Sequence, residues 1–264
     1  MSAPTAAPVD IAVVTALPEE SAALRAAIAA EPVTVSWVAG GETRVYRGAT
    51  AAGLQVAVVA TGAGKVAATE GMFVLLTHFH PAIVFATGIA GAVSEEVSPG
   101  DLVLATRTAS YDVDATALGI PLGTLRRGAS TIDEIPEPGR FGAVVPWLER
   151  AAESAAAELP GTPAIHRGLI ASGDTLLTRR TLAALPADWR DLISDAVAVD
   201  MESAVWARCA RRAAVPLILY RLVSDHVTRG EQVGFVRACE ETGVIATAAV
   251  NACRRAPDGA IVSE

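Results

Sequence analysis

Cysteine is scarce in this chain: Cys209, Cys239 and Cys253 are the only three in 264 residues. Their odd number and wide spacing exclude a disulfide framework and a cysteine metal motif. Histidine does no better, because His78 and His80, just before Pro81, have no Cys or acid at ligand spacing and read as surface residues. Basic residues are outnumbered, 21 Lys and Arg against 29 Asp and Glu for a net charge of −8, which argues against general nucleic-acid binding. No apolar run reaches membrane-spanning length without a charge or turn residue, and Met1 to Pro8 lacks the basic start and apolar core of a signal peptide. The lack of a Gly-x-Ser-x-Gly element removes the obvious serine-hydrolase option. These absences leave the cytoplasm as the expected address and no membrane or nucleic acid as a partner.

What is present is a 52% hydrophobic chain in which strand-like and helix-like runs alternate, enough for one α/β domain with a sizeable core. The domain is expected over residues 9–253, with 1–8 and 254–264 as flexible tails. A Pro/Gly-rich insert at 126–142 reads either as a loop over a site or as a disordered surface loop.

Two acid-bearing stretches stand out. Ala198-Val-Asp-Met-Glu-Ser203 and Arg221-Leu-Val-Ser-Asp225 each follow or end an apolar run, which puts their acids at strand ends, where open α/β sheets hold ligands. Arg221 sits inside the buried run Val215–Val223 and needs either a structural acid partner or a ligand to face. Near the start, Asp10–Ala16 is a strand, followed by Leu17-Pro18-Glu19-Glu20 and a helix. Acids in a first turn also suit the helix dipole, so the pair has a purely structural reading. His226 fits either the pocket wall or a neutral structural histidine. Asp112 and Asp114 read as solvent-facing or capping.

The segment Leu54–Thr61, Gly62-Ala-Gly64-Lys65 and the helix running on to Phe79 imitates a dinucleotide site. The next strand, Ala82–Thr87, ends in Gly88-Ile-Ala-Gly91 with no acid for a ribose, and the glycine spacing before Lys65 is wrong for a phosphate loop.

Taken in order, Asp10, Leu17–Glu20, Thr61-Gly-Ala-Gly-Lys-Val-Ala-Ala68, Thr87–Gly91, Ser172-Gly-Asp174, Met201-Glu202 and Arg221–Asp225 resemble the nucleoside phosphorylase and nucleosidase superfamily. Within it the chain looks most like the methylthioadenosine/S-adenosylhomocysteine nucleosidases, over about Asp10 to Ala252. The resemblance implies a three-layer α/β domain with a central mixed sheet flanked by helices, and a purine nucleosidase that needs no metal or organic cofactor. In the family's pattern Glu20 activates the attacking water, Asp225, beside Ser224, protonates the leaving purine, and Glu202 grips the ribose hydroxyls above Met201. Arg221 falls close to the catalytic carboxylates. The chemistry agrees, since breaking an N-glycosidic bond needs one group to act as base and another to hold a proton for the departing ring.

Phosphorolysis is disfavoured, because Leu17–Glu20, Ala86 and Ile89 stand where the family's phosphorylases hold phosphate, and these make a poor anion site. Ile89 replaces a common serine and Leu176 a base-stacking phenylalanine, while backbone groups near Leu177 are expected to read the base. By the same resemblance, Leu17, Phe235, Ala115 and Leu118 are expected to line the pocket for an apolar 5′ group, the last two contributed across a homodimer, with Asp112 and Asp114 close to the partner. Alternatives are a futalosine hydrolase, which has a similar Gly-Ile-Ala-Gly turn, a purine nucleoside phosphorylase, and a non-catalytic nucleoside-binding module.

Overall fold

A computed structural model describes residues 8–37, 41–120, 122 and 132–263. The chain opens with β1 (Ile11–Thr15), a 3-10 turn at Glu19–Ser21 and α1 (Ala22–Ala27). Then come β2 (Glu31–Trp37), β3 (Gly41–Ala49), β4 (Gln55–Ala60), α2 (Lys65–Val74) with a π-helical turn to Phe79, β5 (Ile83–Ala86), β6 (Ile89–Ala92) and β7 (Leu102–Ser110). The second half runs β8 (Ile132–Glu134), α3 (Val144–Ala155), β9 (Ile165–Ser172), α4 (Arg179–Ala184), α5 (Ala187–Ser194), β10 (Ala198–Asp200) and α6 (Ser203–Arg212). It closes with β11 (Leu217–His226), α7 (Phe235–Asn251), β12 (Cys253–Arg255) and β13 (Ile261–Ser263).

The main sheet has the order β2-β3-β4-β1-β5-β11-β6-β10-β9-β7-β8 and mixes parallel and antiparallel pairs, as the sequence leads one to expect. Alternation along the strands divides the core. In β1, Ala12 and Val14 face the layer holding Met72 and Trp206 of α2 and α6, while Ile11 and Val13 face Leu24, Trp147 and Ile245 of α1, α3 and α7. A third apolar cluster joins Ala109, Leu169 and Val199 to Ile193 of α5, with Trp189 partly buried beside them.

β1, β4, β5 and β11 run parallel through the centre, so their carboxyl ends gather at one rim. The loops beyond those ends carry the polar motifs. β11 shifts register between Val223 and Asp225 against β6, a bulge at Ser224 that re-aims the strand's last acids.

Two expectations need correction. Residues 254–263 are not a loose tail: β12 and β13 pair as a hairpin, Ile261 is buried, and Arg255 Nη2 meets Asp10 Oδ1 at 2.5 Å. The apolar residue and the carboxylate partner explain the docking. In the 126–142 insert, residues 126–131 lie outside the described residues. The remainder does not cover the site, because Pro138 and Phe141 line a cavity with Ile83 and Pro216, at the opposite rim of the sheet, where β5 and β11 begin. Phe141 is held there by edge contacts with Phe85 and Trp147. Residues 1–7 of the expected N-terminal tail also fall outside the described residues.

Candidate active site

Glu20 is buried at the turn after β1. Its Oε2 accepts the N–H groups of Ala16 and Leu17 at 2.9 and 2.8 Å, and Oε1 accepts that of Ile89 at 2.9 Å. The helix-start reading is therefore incomplete, because this carboxylate bonds across to a second strand. Burial raises the Glu20 pKa above the ordinary glutamate value, opposed by Arg221 and these three N–H groups.

Glu202, just beyond β10, accepts Gly64 N–H on Oε1 at 2.9 Å and Arg221 Nη2 on Oε2 at 3.1 Å. The glycine turn that imitates a dinucleotide site thus presents its N–H to a protein carboxylate. Gly64 has φ of +90°, which favours glycine, and a Cβ there would stand 3.0 Å from Asp174 Oδ1. Burial also raises the Glu202 pKa, with Arg221 pulling it down and Asp200 pushing the same way as burial.

Arg221 has acids of the protein for partners. Fully buried, it meets Asp200 Oδ2 at 2.6 Å and Glu202 Oε2 at 3.1 Å, and donates to Ser203 Oγ and the Thr87 carbonyl at 3.2 and 3.3 Å. Its guanidinium lies 4.5 Å from the Trp206 ring centroid. Burial alone would lower its pKa; Asp200, Glu202 and Glu20 outweigh that and hold it above its ordinary value. Gly88 makes the approach of Arg221 to Glu20 possible: at φ of +145° a Cβ would fall 2.3 Å from Arg221 Nη1 and 2.7 Å from Glu20 Oε1.

Asp225 occupies a different setting. Its Oδ1 accepts Ser224 Oγ at 2.7 Å, and Ser224 also reaches the Ala90 carbonyl at 3.3 Å. Asp225 lines two cavities. One of about 330 Å³ includes Leu177, Ser224, His226, Gln232 and Phe235, and a smaller one of about 40 Å³ adds Gly91, Leu176 and Met201. His226 is structural on its ring nitrogens: Nδ1 faces the N–H groups of Thr228 and Arg229 at 3.4 and 3.3 Å, and Nε2 faces the Ser94 carbonyl at 3.2 Å.

Of the expected residues, Glu20, Glu202 and Arg221 share one buried network, and Asp225, Ser224, Met201, Leu176, Leu177 and Phe235 share the adjoining cavities. Ile89 joins the first group through its backbone, and Leu17 likewise gives its N–H to Glu20 while packing on the core. Ala115 and Leu118 line neither cavity around Asp225 within this one chain; Leu118 is exposed at the turn after β7. Asp112 does more than face solvent, since it takes Lys65 Nζ at 2.6 Å and the Asp174 N–H at 2.8 Å. Sequence reasoning assigned no role to Asp200, Ser172 or Ser203, although Asp200 sits one residue before Met201. That acid at the end of an apolar run was the available signal.

Residues 10–255 match the phosphorylase superfamily model. The chain is 33% identical to a 5′-methylthioadenosine/S-adenosylhomocysteine nucleosidase of Geobacillus kaustophilus over 224 residues, 84% of this chain and 86% of that one. It superposes on the corresponding nucleosidase of Neisseria meningitidis, solved with methylthio-immucillin-A, with a TM-score of 0.71 and 26% identity, over 92% of this chain and 98% of the other. A futalosine hydrolase mutant of Helicobacter pylori shares the fold, with a TM-score of 0.73 at 20% identity over 92% and 99% of the two chains. A match along nearly the whole length, with the carboxylates gathered where the sheet's parallel strands end, makes this chain a member of the phosphorylase superfamily, among its 5′-methylthioadenosine/S-adenosylhomocysteine nucleosidases.

Proposed function

We propose that this enzyme hydrolyses the N-glycosidic bond of a 5′-substituted adenine nucleoside of the methylthioadenosine or adenosylhomocysteine type. Glu20 takes a proton from the attacking water, Glu202 holds the ribose hydroxyls over Met201, and Asp225 delivers a proton to the departing adenine. The contrast between two carboxylates carries this reading. Glu20 is buried and shifted toward the range in which a base works near neutral pH, while Asp225 stands at a cavity wall with a hydroxyl partner. Three N–H groups hold Glu20 without neutralising it, so it can still accept a proton.

Water is favoured over phosphate as the nucleophile. The position facing Glu20 and Glu202 has two carboxylates, and Arg221 is already engaged by Asp200 and Glu202, so a phosphate dianion would find repulsion and no uncommitted cation there.

The working form we propose is a cytoplasmic homodimer. Val66 and Phe73 stand two turns apart on α2, 73% and 47% exposed, an apolar face suited to a second copy, and Leu118 is exposed as well. Sedimentation as an active monomer at assay concentration would contradict the dimer. The decisive assay incubates the protein with methylthioadenosine, adenosylhomocysteine, futalosine and inosine, with and without phosphate. Free sugar and adenine from the first two, unaffected by phosphate, is the expected result; sugar 1-phosphate as the main product would overturn hydrolysis.

A further inference from the structure

We infer that Asp200 is a positioning residue of the site, a buried carboxylate that engages one side of Arg221 and thereby fixes where Glu202 stands and how strongly the guanidinium draws on Glu202 and Glu20. This inference rests on the nucleosidase reading for its consequences in turnover, and on geometry for its substance.

Asp200 ends β10 directly opposite Ser172, which ends β9. Its side chain is only 3% exposed. Oδ1 accepts Ser172 Oγ at 2.6 Å and the N–H groups of Glu202 and Ser203 at 3.3 and 3.2 Å; Oδ2 accepts Ser203 Oγ and Arg221 Nη2. A carboxylate so held is fixed in place, and it fixes its neighbours in turn. The bond to the Glu202 N–H sets the backbone from which the ribose-binding side chain projects. Ser172 Oγ also receives the Ala204 N–H at 3.0 Å, tying the start of α6 to the same point.

The electrostatics point the same way. Charged and titratable groups facing Asp200 are Arg221 from β11, Glu202 at the start of α6 and Tyr111 after β7, with Glu20, from the turn after β1, reached through Arg221. Arg221 is shared among three carboxylates. Asp200, at 2.6 Å, competes with Glu202, at 3.1 Å, for the same Nη2. Removing the Asp200 charge would leave Arg221 acting on Glu202 and Glu20 alone and would remove a direct repulsion on Glu202, so Glu202 would ionise at lower pH, and Glu20 would follow to a lesser degree through the shared guanidinium.

The test uses Asp200→Asn, which removes the charge and keeps the shape, beside Asp200→Glu, which keeps the charge on a longer arm. Side-chain carboxyls of the unligated protein are titrated by carbon-13 NMR, with Glu20 and Glu202 signals assigned by their loss in Glu20→Gln and Glu202→Gln. In Asp200→Asn the Glu202 midpoint should fall by about half a pH unit or more, with Glu20 moving less in the same direction, and Asp200→Glu should reverse both. With methylthioadenosine, kcat/KM should drop about tenfold, mostly through KM, and the acid limb of its pH profile should move to lower pH. Unmoved midpoints in folded Asp200→Asn would overturn the inference, as would an activity loss no larger than the loss of folded protein. If Asp200→Asn does not fold, Ser172→Ala decides: removing one anchor of Asp200 should raise KM severalfold, and an unchanged KM overturns the inference. Failure of the wild type to cleave methylthioadenosine would defeat the functional reading instead, and the NMR midpoints would still judge Asp200.

Discussion

The buried carboxylate network and the cavity wall beside it are built on opposite principles. Around Arg221, the described partners come from the end of β10, the start of α6 and the loops after β1 and β5, all supplied by one chain and almost wholly buried. Around Asp225 the wall is open, with Leu176 71% and Phe235 55% exposed. The first region is tied together by bonds within the chain itself. The second is apolar surface that a ligand or a second subunit would cover. Chemistry is thus fixed by the fold, while selectivity is left to residues that cost the fold little to change.

Substitutions can break this contrast, and the largest effects are expected at the two groups proposed to transfer protons. Asp225→Asn and Glu20→Gln should each lower kcat by roughly two to four orders of magnitude, the scale of losing a general acid or base. Base release measured under saturating methylthioadenosine checks both. Near-normal turnover of Asp225→Asn would remove that residue from the mechanism, and a dead Glu19 variant beside an active Glu20→Gln would reassign the base.

Next in size is Gly88→Ala. Its Cβ would press on Arg221 Nη1 at 2.3 Å and Glu20 Oε1 at 2.7 Å, in a backbone conformation alanine resists. Stability should fall by about 2 kcal/mol or more, with activity falling further than stability explains. Denaturant unfolding paired with kinetics separates the two effects.

A smaller effect tests whether the buried network stores unfavourable charge. The Glu202 pKa is raised in the folded protein, so its contribution to stability is present below the ordinary glutamate value and is lost as pH rises through the folded value. Glu202→Gln, which never ionises, should therefore gain on the wild type in melting temperature as pH rises from about 5 to about 8, while binding ribose poorly. A melting-temperature difference that stays constant with pH would show that Glu202 ionises in the fold as it does in water.

The mildest change sharpens the other side. Leu176→Phe restores a ring to the open wall and should tighten adenine binding by about 0.5–1.5 kcal/mol, leaving stability nearly unchanged. Calorimetry with adenine measures it, and no gain would mean that Leu176 does not face the base.

The strand ends were legible because apolar runs such as Asp10–Ala16 and Val215–Val223 are bounded by charges, and a buried strand announces its end when the charges begin. Ser224 and Asp225 were found that way, although β11 runs on to His226, because the bulge that re-aims them depends on pairing with β6. Asp200 was missed for a related reason. One acid in an acid-rich motif says nothing of its partners, and Ser172 and Arg221 lie 28 and 21 residues away on strands whose neighbours only the sheet order reveals. The C-terminal hairpin was misread because Arg254-Arg-Ala-Pro-Asp-Gly-Ala260 has the composition of a linker, while Ile261 and the contact to Asp10 hold it down.

That contact has an engineering meaning. Asp10 stands just before β1 and Arg255 ends β12, which pairs with β13, so the ion pair brings the start of the first strand beside the hairpin that ends the described chain, at the rim away from the carboxylates. Joining those ends with a short linker and opening the chain at the exposed Pro160–Gly161 turn should give a circular permutant that keeps every strand neighbour. Its catalytic rim would be left untouched, and either new terminus could carry a fused partner clear of the nucleoside.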